Sequence, residues 1–388
     1  MIFFPPAKES TNALLLTGGG ARAAYQVGVL KAIASQLPRN QNSPFKVICG
    51  TSAGAINAVS MACHASCFHL GVKKTEWVWK NFKTEHVYVG SWFGVFGYIL
   101  KNYFFKNSKG GNTRATSLLN NKPLENLLSG LIDYKRIDRN ILTGHLDGIS
   151  VAASSYSDGD SIAFFQSSGH HEWLRAKRKG IKTVLTTRHL MASAAIPLLF
   201  PSVKIGTAHF GDGAVHQLSP LSPAIHLGAD KILIIGVEEP KENKHSGESE
   251  FKPNTAAITG HLLDTIFTDS LNADIERMER INSTLNYASE DKAGLKKVET
   301  LLINPSTCFN KLAAQHYKNM PSAIRFLLRL IGIKKKSEST LLSYLMFEKQ
   351  FTKELIKLGY EDGLARKNEI MAFLELTKEQ KQVQTNNP

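Results

Sequence analysis

Short apolar runs ending in glycine recur along the first half of the chain, each followed by a stretch with helical spacing. Ala13-Leu14-Leu15-Leu16 is the first run and Gly18-Gly19-Gly20 follows it. Ala23 to Leu37 then carries Tyr25, Val29, Ile33 and Leu37 at four-residue intervals, the repeat that lays an apolar stripe along one helix face. Pro38 and the polar segment Arg39–Ser43 close it. A second unit repeats the plan: Phe45–Cys49 reads as a strand, Gly50-Thr51-Ser52-Ala53-Gly54 as a turn, and Ala55 to Cys67 as an Ala-rich helix. Two strand–turn–helix units in succession predict a parallel sheet with helices packed against it.

Residues 76–132 depart from this plan. Trp77, Trp79, Trp92, Phe93, Phe96, Phe104 and Phe105 crowd there with Lys80, Lys83, Lys101, Lys106 and Lys109, which predicts a helical cap or a lipid-facing surface. From Gly148 the sheet pattern resumes. Ile149–Ala153 and Ser161–Phe165 read as strands, and Met191–Ala195 as a small-residue turn or helix stopped by Pro197 and Pro201. Arg175-Ala176-Lys177-Arg178-Lys179 reads as a solvated basic loop. Ala208-His209-Phe210 leads into Gly211-Asp212-Gly213, and Lys231–Val237 has the apolar run of a buried strand. Residues 239–254 read as an exposed loop, Ile258–Asn282 as a helix, the remainder as mostly helical and Lys-rich, and Lys378–Pro388 as a frayed tail.

Composition narrows the class. Hydrophobic content is 43% and charged content 21% over 388 residues, ordinary for a globular chain long enough for one large domain with an appendage or for two domains. The net charge of +14 favours an anionic partner, whether nucleic acid, anionic membrane or acidic lipid; the plain alternative is good solubility. Met1-Ile2-Phe3-Phe4-Pro5-Pro6 lacks the features of a secretory signal. The longest apolar stretch, Gly90 to Leu100, falls short of a membrane span. The expectation is a cytoplasmic or peripheral membrane protein, with export by a signal-independent route left open. Cys49, Cys63, Cys67 and Cys308 are too scattered for a disulfide framework and read as buried thiols, and no metal or other cofactor is implied.

Three segments carry candidate chemistry. Serine is a weak nucleophile that needs a base and a place for the oxyanion. Gly50-Thr51-Ser52-Ala53-Gly54 has the Gly-x-Ser-x-Gly pattern of a strand-to-helix elbow, where glycines relieve collisions and the helix N-terminus faces the developing charge. Gly18-Gly19-Gly20-Ala21-Arg22 can turn successive amides toward one point, as an oxyanion hole requires. A dinucleotide loop would need an acidic residue about 20 positions on, and no Asp or Glu lies between Glu9 and Glu76. Asp212-Gly213-Ala214 places a carboxylate between glycines, at what reads as an exposed loop tip. A Ser–acid–His order remains open through His216, His226, His261 and His316.

Together these segments resemble the patatin-like phospholipase family, whose pattern is Gly-Gly-Gly-x-Arg/Lys-Gly, then Gly-x-Ser-x-Gly, then Asp-Gly-Gly/Ala. Ser193-Ala194-Ala195-Ile196-Pro197 and Phe200-Pro201 also resemble the family's segment before the Asp, while Ala23 stands where glycine is usual. The resemblance covers residues 12–227 and, more loosely, Asp264–Asn282. It implies a three-layer α/β fold with a mostly parallel central sheet. The catalytic domain would span 12–227, with its last core strand near 231–237 and a mostly helical region over 255–388. It further implies a serine acyl hydrolase acting on phospholipids or lysophospholipids. Ser52 would be the nucleophile, Asp212 the proton acceptor, and Gly18, Gly19, Gly20, Ala21 and Arg22 the oxyanion loop. A neutral-lipid lipase or a thioesterase on the same residues is the alternative. From another class, a non-catalytic basic protein binding lipid or nucleic acid rests on charge alone, and no nucleic-acid motif is present. Contact with an anionic membrane is expected through residues 90–109 or through the basic amphipathic stretch Arg325–Lys336.

Overall fold

A computed structural model describes residues 10–103, 117–240, 258, 265, 270–287, 295–335 and 337–376. The N-terminal hexapeptide, Phe104–Lys109, His261, Lys336, the tail 378–388, most of the 239–254 loop and the start of the 258–282 helix lie outside these residues. The chain opens with β1 (Asn12–Leu16), a 3-10 turn (Gly20–Ala23), α1 (Ala24–Ala34), β2 (Val47–Thr51) and α2 (Ala53–Cys63). The aromatic segment folds as α3 (Phe68–Lys80), α4 (Thr84–Val87), α5 (Trp92–Tyr103) and α6 (Lys122–Leu131), followed by α7 (Lys135–Leu142). Next come β3 (Gly148–Ser155), β4 (Ser161–Ser167), β5 (Trp173–Arg175), β6 (Arg178–Lys182) and α8 (Thr187–Ser193). β7 (Val203–Ile205), β8 (Ala208–Asp212), α9 (Ser222–His226) and β9 (Lys231–Ile235) follow. The C-terminal region holds α10 (Ser270–Leu285), β10 (Glu299–Ile303), α11 (Phe309–His316), α12 (Ser322–Leu330), α13 (Thr340–Leu345), α14 (Lys349–Ala365) and α15 (Lys367–Phe373).

The strands form one sheet in the order β10-β9-β1-β2-β3-β4-β6-β5, with β8 on β3 and β7 on β8. From β10 through β3 every neighbour is parallel. β3 pairs antiparallel with both β4 and β8. Helices cover both faces, giving the three-layer, mostly parallel α/β architecture that the family resemblance implies. Strand side chains alternate between the faces. Leu14, Leu16 and Ile48 enter the core under α1 and α2, while Ala13, Leu15, Val47 and Cys49 enter a second core with Ala224 of α9, with Leu227 just after it and with Met278 of α10. Strands buried on both faces read as continuous apolar runs, which is why their glycine-terminated runs stand out in the sequence.

Two segments differ from the sequence reading. The strand expected near 231–237 is present as β9, and a further strand that the sequence reading did not predict, Glu299–Ile303, pairs parallel with it, Leu301 lying opposite Leu233. The Arg175–Lys179 cluster is not a loop but spans an edge hairpin, with Arg175 opposite Arg178. Lys179 lies on β6, between β4 and the edge strand β5, and is ion-paired to Asp160 at 2.7 Å. Of the four thiols, Cys49 and Cys63 are buried, whereas Cys67 and Cys308 are half-buried. No helix among the described residues is long and apolar enough to cross a membrane.

The C-terminal helices complete the layer around α1. Helix α14 crosses α1 with the two backbones nearly touching. A Cβ on Gly28 would run into the Ile356 carbonyl, and one on Gly359 into the Tyr25 carbonyl. Below the glycine loop a buried amide network joins three helices to the sheet. Gln26 Nε2 donates to the Thr17 carbonyl at 2.8 Å, Asn57 Nδ2 to Gln26 Oε1 at 3.0 Å, and Trp79 Nε1 to Asn57 Oδ1 at 2.7 Å. Each polar group there has a partner, as burial demands.

Candidate active site

Strand β2 ends at Thr51 and α2 starts at Ala53, so Ser52 alone makes the turn. Its φ is 54°, a left-handed conformation that costs a side-chain-bearing residue about 1–3 kcal/mol and persists only where the surroundings enforce it. Those surroundings are visible. The Ser52 amide donates to Ser193 Oγ at 2.8 Å, and the Ser52 carbonyl accepts from the Ala55 amide at 2.9 Å. Thr51 Oγ1 donates to Gln217 Oε1 at 2.8 Å. Gly54 sits so close to the end of β1 that a Cβ would overlap the Leu16 and Thr17 carbonyls, which explains the glycine.

Asp212 is the last residue of β8. Ala153 of β3 lies opposite it, and its amide donates to the Ala195 carbonyl at 2.9 Å. The exposed loop tip expected from the flanking glycines is therefore wrong: Asp212 is 0% exposed and Ser52 1%. Antiparallel pairing with β3 and the cover of the 193–195 segment bury the carboxylate. Ser52 Oγ donates to Asp212 Oδ2 at 2.6 Å, and Asp212 Oδ1 accepts from the Ala214 amide at 3.0 Å. Burial pushes the Asp212 carboxyl up to about 7, with the bonds from Ser52 and Ala214 pulling the other way. A carboxylate poised near neutrality can take a proton from a hydroxyl that it already contacts.

No described histidine is bonded to either residue. The His216 amide donates to Ser154 Oγ at 3.1 Å, His226 stacks on Trp173, and His316 pairs with Glu354 at 2.7 Å.

The glycine loop lies beside the elbow. Gly20 lines the same cavity as Ser52 and Ala53. Its φ is +56°, and a Cβ would strike the Tyr344 carbonyl, so only glycine fits. The Arg22 amide is bonded within the turn to the Gly19 carbonyl at 3.1 Å and so differs from the free donor that the sequence reading assigns it. The Arg22 side chain is buried and turned into the C-terminal region. It pairs with Glu239 at 2.8 Å, donates to Ser343 Oγ at 2.8 Å and lies over the Tyr344 ring. Arg22 thus ties the loop to α13. Gly18 lies beside Thr51, Ala214 and Gln217, which brings all three sequence motifs together.

An apolar cavity of about 510 Å³ runs outward from Ser52, well within the usual size of a small-molecule site. Val78, Phe82, Leu128, Phe200 and Phe347 are among its walls, and Leu70, Lys73, Lys74, Trp77 and Leu131 line it where it meets solvent. Helices α3 and α6 supply most of this mouth, so the aromatic 76–132 segment includes a cap over the site.

Sequence reasoning missed Ser193 and Gln217, which hold the elbow from outside it. The run Ser193-Ala194-Ala195 was the available signal, since small residues there let the segment approach both Ser52 and Asp212.

The patatin-like phospholipase family model matches residues 14–225. Among solved structures, the chain is similar to VipD from Legionella pneumophila at 12% identity, covering 95% of this chain and 67% of that one, with a TM-score of 0.35. It is also similar to the type III effector protein ExoU at 13% identity and a TM-score of 0.32, covering 95% of this chain but about half, 53%, of that one. No curated protein sequence matches. The family match spans more than half of the chain and takes in the glycine loop, the elbow and Asp212, and the chain belongs to the patatin-like phospholipase family, a family of lipid acyl hydrolases.

Proposed function

We propose that the protein releases fatty acids from phospholipids or lysophospholipids through a Ser52–Asp212 dyad. The observation that carries this reading is the 2.6 Å bond from Ser52 Oγ to a buried carboxylate at the inner end of an apolar cavity of about 510 Å³. Ser52 Oγ attacks the ester carbonyl while its proton passes to Asp212. The oxyanion meets amides of the Gly18–Ala21 loop and the Ala53 amide, an unpaired donor of the first turn of α2. The lipid alcohol leaves with the proton held by Asp212, and an acyl-Ser52 ester remains. Asp212 then takes a proton from water, hydroxide adds to the acyl carbon, and fatty acid departs as Ser52 regains its proton. No histidine and no metal ion take part in these steps.

Phospholipid is favoured over neutral lipid because Lys73 and Lys74 are exposed where the cavity opens, suited to a phosphate. A lipase or thioesterase would use the same dyad, so the test is a panel of phospholipid, lysophospholipid, triacylglycerol and acyl-thioester substrates. Fatty-acid release should be greatest from the phospholipids and fall at least about a thousand-fold in Ser52→Ala. Unchanged release by folded Ser52→Ala protein would sink the proposal. For the domain limits, we propose that residues 12–227 and the C-terminal region form one folding unit, because β10, α13 and α14 pack on β9, the glycine turn and α1.

A further inference from the structure

The two segments singled out as membrane-facing lie far apart in sequence, but the fold joins them. Helix α5 packs beside α12. Trp92 Nε1 donates to Ser322 Oγ at 2.8 Å, and the Trp92 ring stacks on Phe96 at 5.3 Å and meets Phe326 at 5.4 Å. Around this seam the apolar tips face solvent: Phe93 is 95% exposed and Leu330 67%, with Trp92, Leu100 and Phe326 also exposed. Single exposed apolar side chains are ordinary, but a contiguous group drawn from two helices marks an interaction surface.

Charge identifies the partner. No Asp or Glu lies between Glu85 and Glu125, nor between Glu299 and Glu338. Both gaps are long for a chain in which 33 of 388 residues are acidic, and the two acid-free segments are those that meet. Lys101, Arg329, Lys334 and Lys335 are exposed on them, and none of the four is ion-paired among the described residues. Protruding aromatic and aliphatic tips ringed by cations, without intervening acids, match an anionic bilayer, where rings sit at the headgroup level and cations meet the lipid charge. A nucleic acid would use the cations and the rings but has no use for Leu100 and Leu330.

We infer that the α5–α12 seam is the surface by which the protein docks on anionic membranes. This docking does not rest on Ser52 and is tested in a Ser52→Ala background, so that the vesicles stay intact. The probe is sedimentation with vesicles of equal parts phosphatidylcholine and phosphatidylserine, against pure phosphatidylcholine. The protein should sediment with the anionic vesicles only, and less so as salt rises. Phe93→Ser with Leu330→Ser should weaken partitioning at least about ten-fold. Arg329→Gln with Lys335→Gln should weaken it about thirty-fold, from about 1 kcal/mol for each basic side chain near the surface. In the Ser52 background, both pairs should hydrolyse a soluble short-chain ester at the parental rate, which separates lost docking from lost folding or lost chemistry. Unaltered vesicle binding by both variants overturns the inference. So does equal binding to neutral vesicles. Binding of a single-stranded oligonucleotide in place of vesicles, or a concentration-dependent dimer abolished by Phe93→Ser, would assign the surface to nucleic acid or to a second copy.

Discussion

Asp212 and Ser52 are held in states that neither residue adopts unaided: a carboxyl lifted to about 7 by burial and a serine at φ 54°. The pH consequences follow with a definite sign. A general base works only when deprotonated, so kcat/KM should climb with pH, reach half its plateau near 7 and stay flat above. The ordinary Asp value is 3.8. Between there and about 7 the folded protein keeps a proton that the unfolded chain has lost, so stability falls as pH rises through that window. Asp212→Asn removes the anion and the proposed base together. Scanning calorimetry should find the variant more stable than the parent above pH 7, while its kcat drops by about four orders of magnitude. A destabilised yet active variant would assign the base elsewhere. Much of this was legible from residues alone, since the glycines around Ser52, Gly20 and Asp212 flag tight turns. The burial of Asp212 was not, because a residue between glycines looks solvent-exposed until the strand opposite it is known.

At the level of elements, legibility followed burial symmetry. Strands β1, β2 and β9 are apolar on both faces and were readable as such. β10 escaped because Glu299-Thr300-Leu301-Leu302-Ile303 is short and lies within a Lys-rich, helix-forming stretch, and only its pairing with β9 makes it a strand. The α1–α14 crossing escaped for a similar reason, since nothing local in Gly359 says that it meets Gly28. The crossing also carries a prediction. Gly359→Leu would force a side chain against the Tyr25 carbonyl and push α14 off α1. Denaturant unfolding should show a loss of about 1–3 kcal/mol or more, whereas Gly130→Ala, within α6 and with open space around its Cβ position, should hold or raise the midpoint, since alanine favours helix over glycine. Equal effects of the two substitutions would mean that the close crossing contributes nothing.

Over the whole molecule, the family match stops at residue 225, but the packing does not. Arg22 of the glycine turn is anchored by Glu239, Asn310 and Ser343, all beyond that boundary. Losing them leaves a buried guanidinium without its partners, a strongly destabilising change. A fragment ending at residue 238, which lacks all three, should therefore lack cooperative thermal unfolding and hydrolytic activity. A fragment that melts cooperatively and hydrolyses ester would show that the C-terminal region is an appendage. The central claim is that Ser52 is the nucleophile and Asp212 its base, and the measurement that meets it most directly is fluorophosphonate labelling followed by peptide mapping. The account predicts a single adduct on the tryptic peptide that contains Ser52, formed at a rate that rises with pH through about 7 and is lost in Asp212→Asn. An adduct on any other residue, or no adduct on folded protein that hydrolyses lipid, would contradict it.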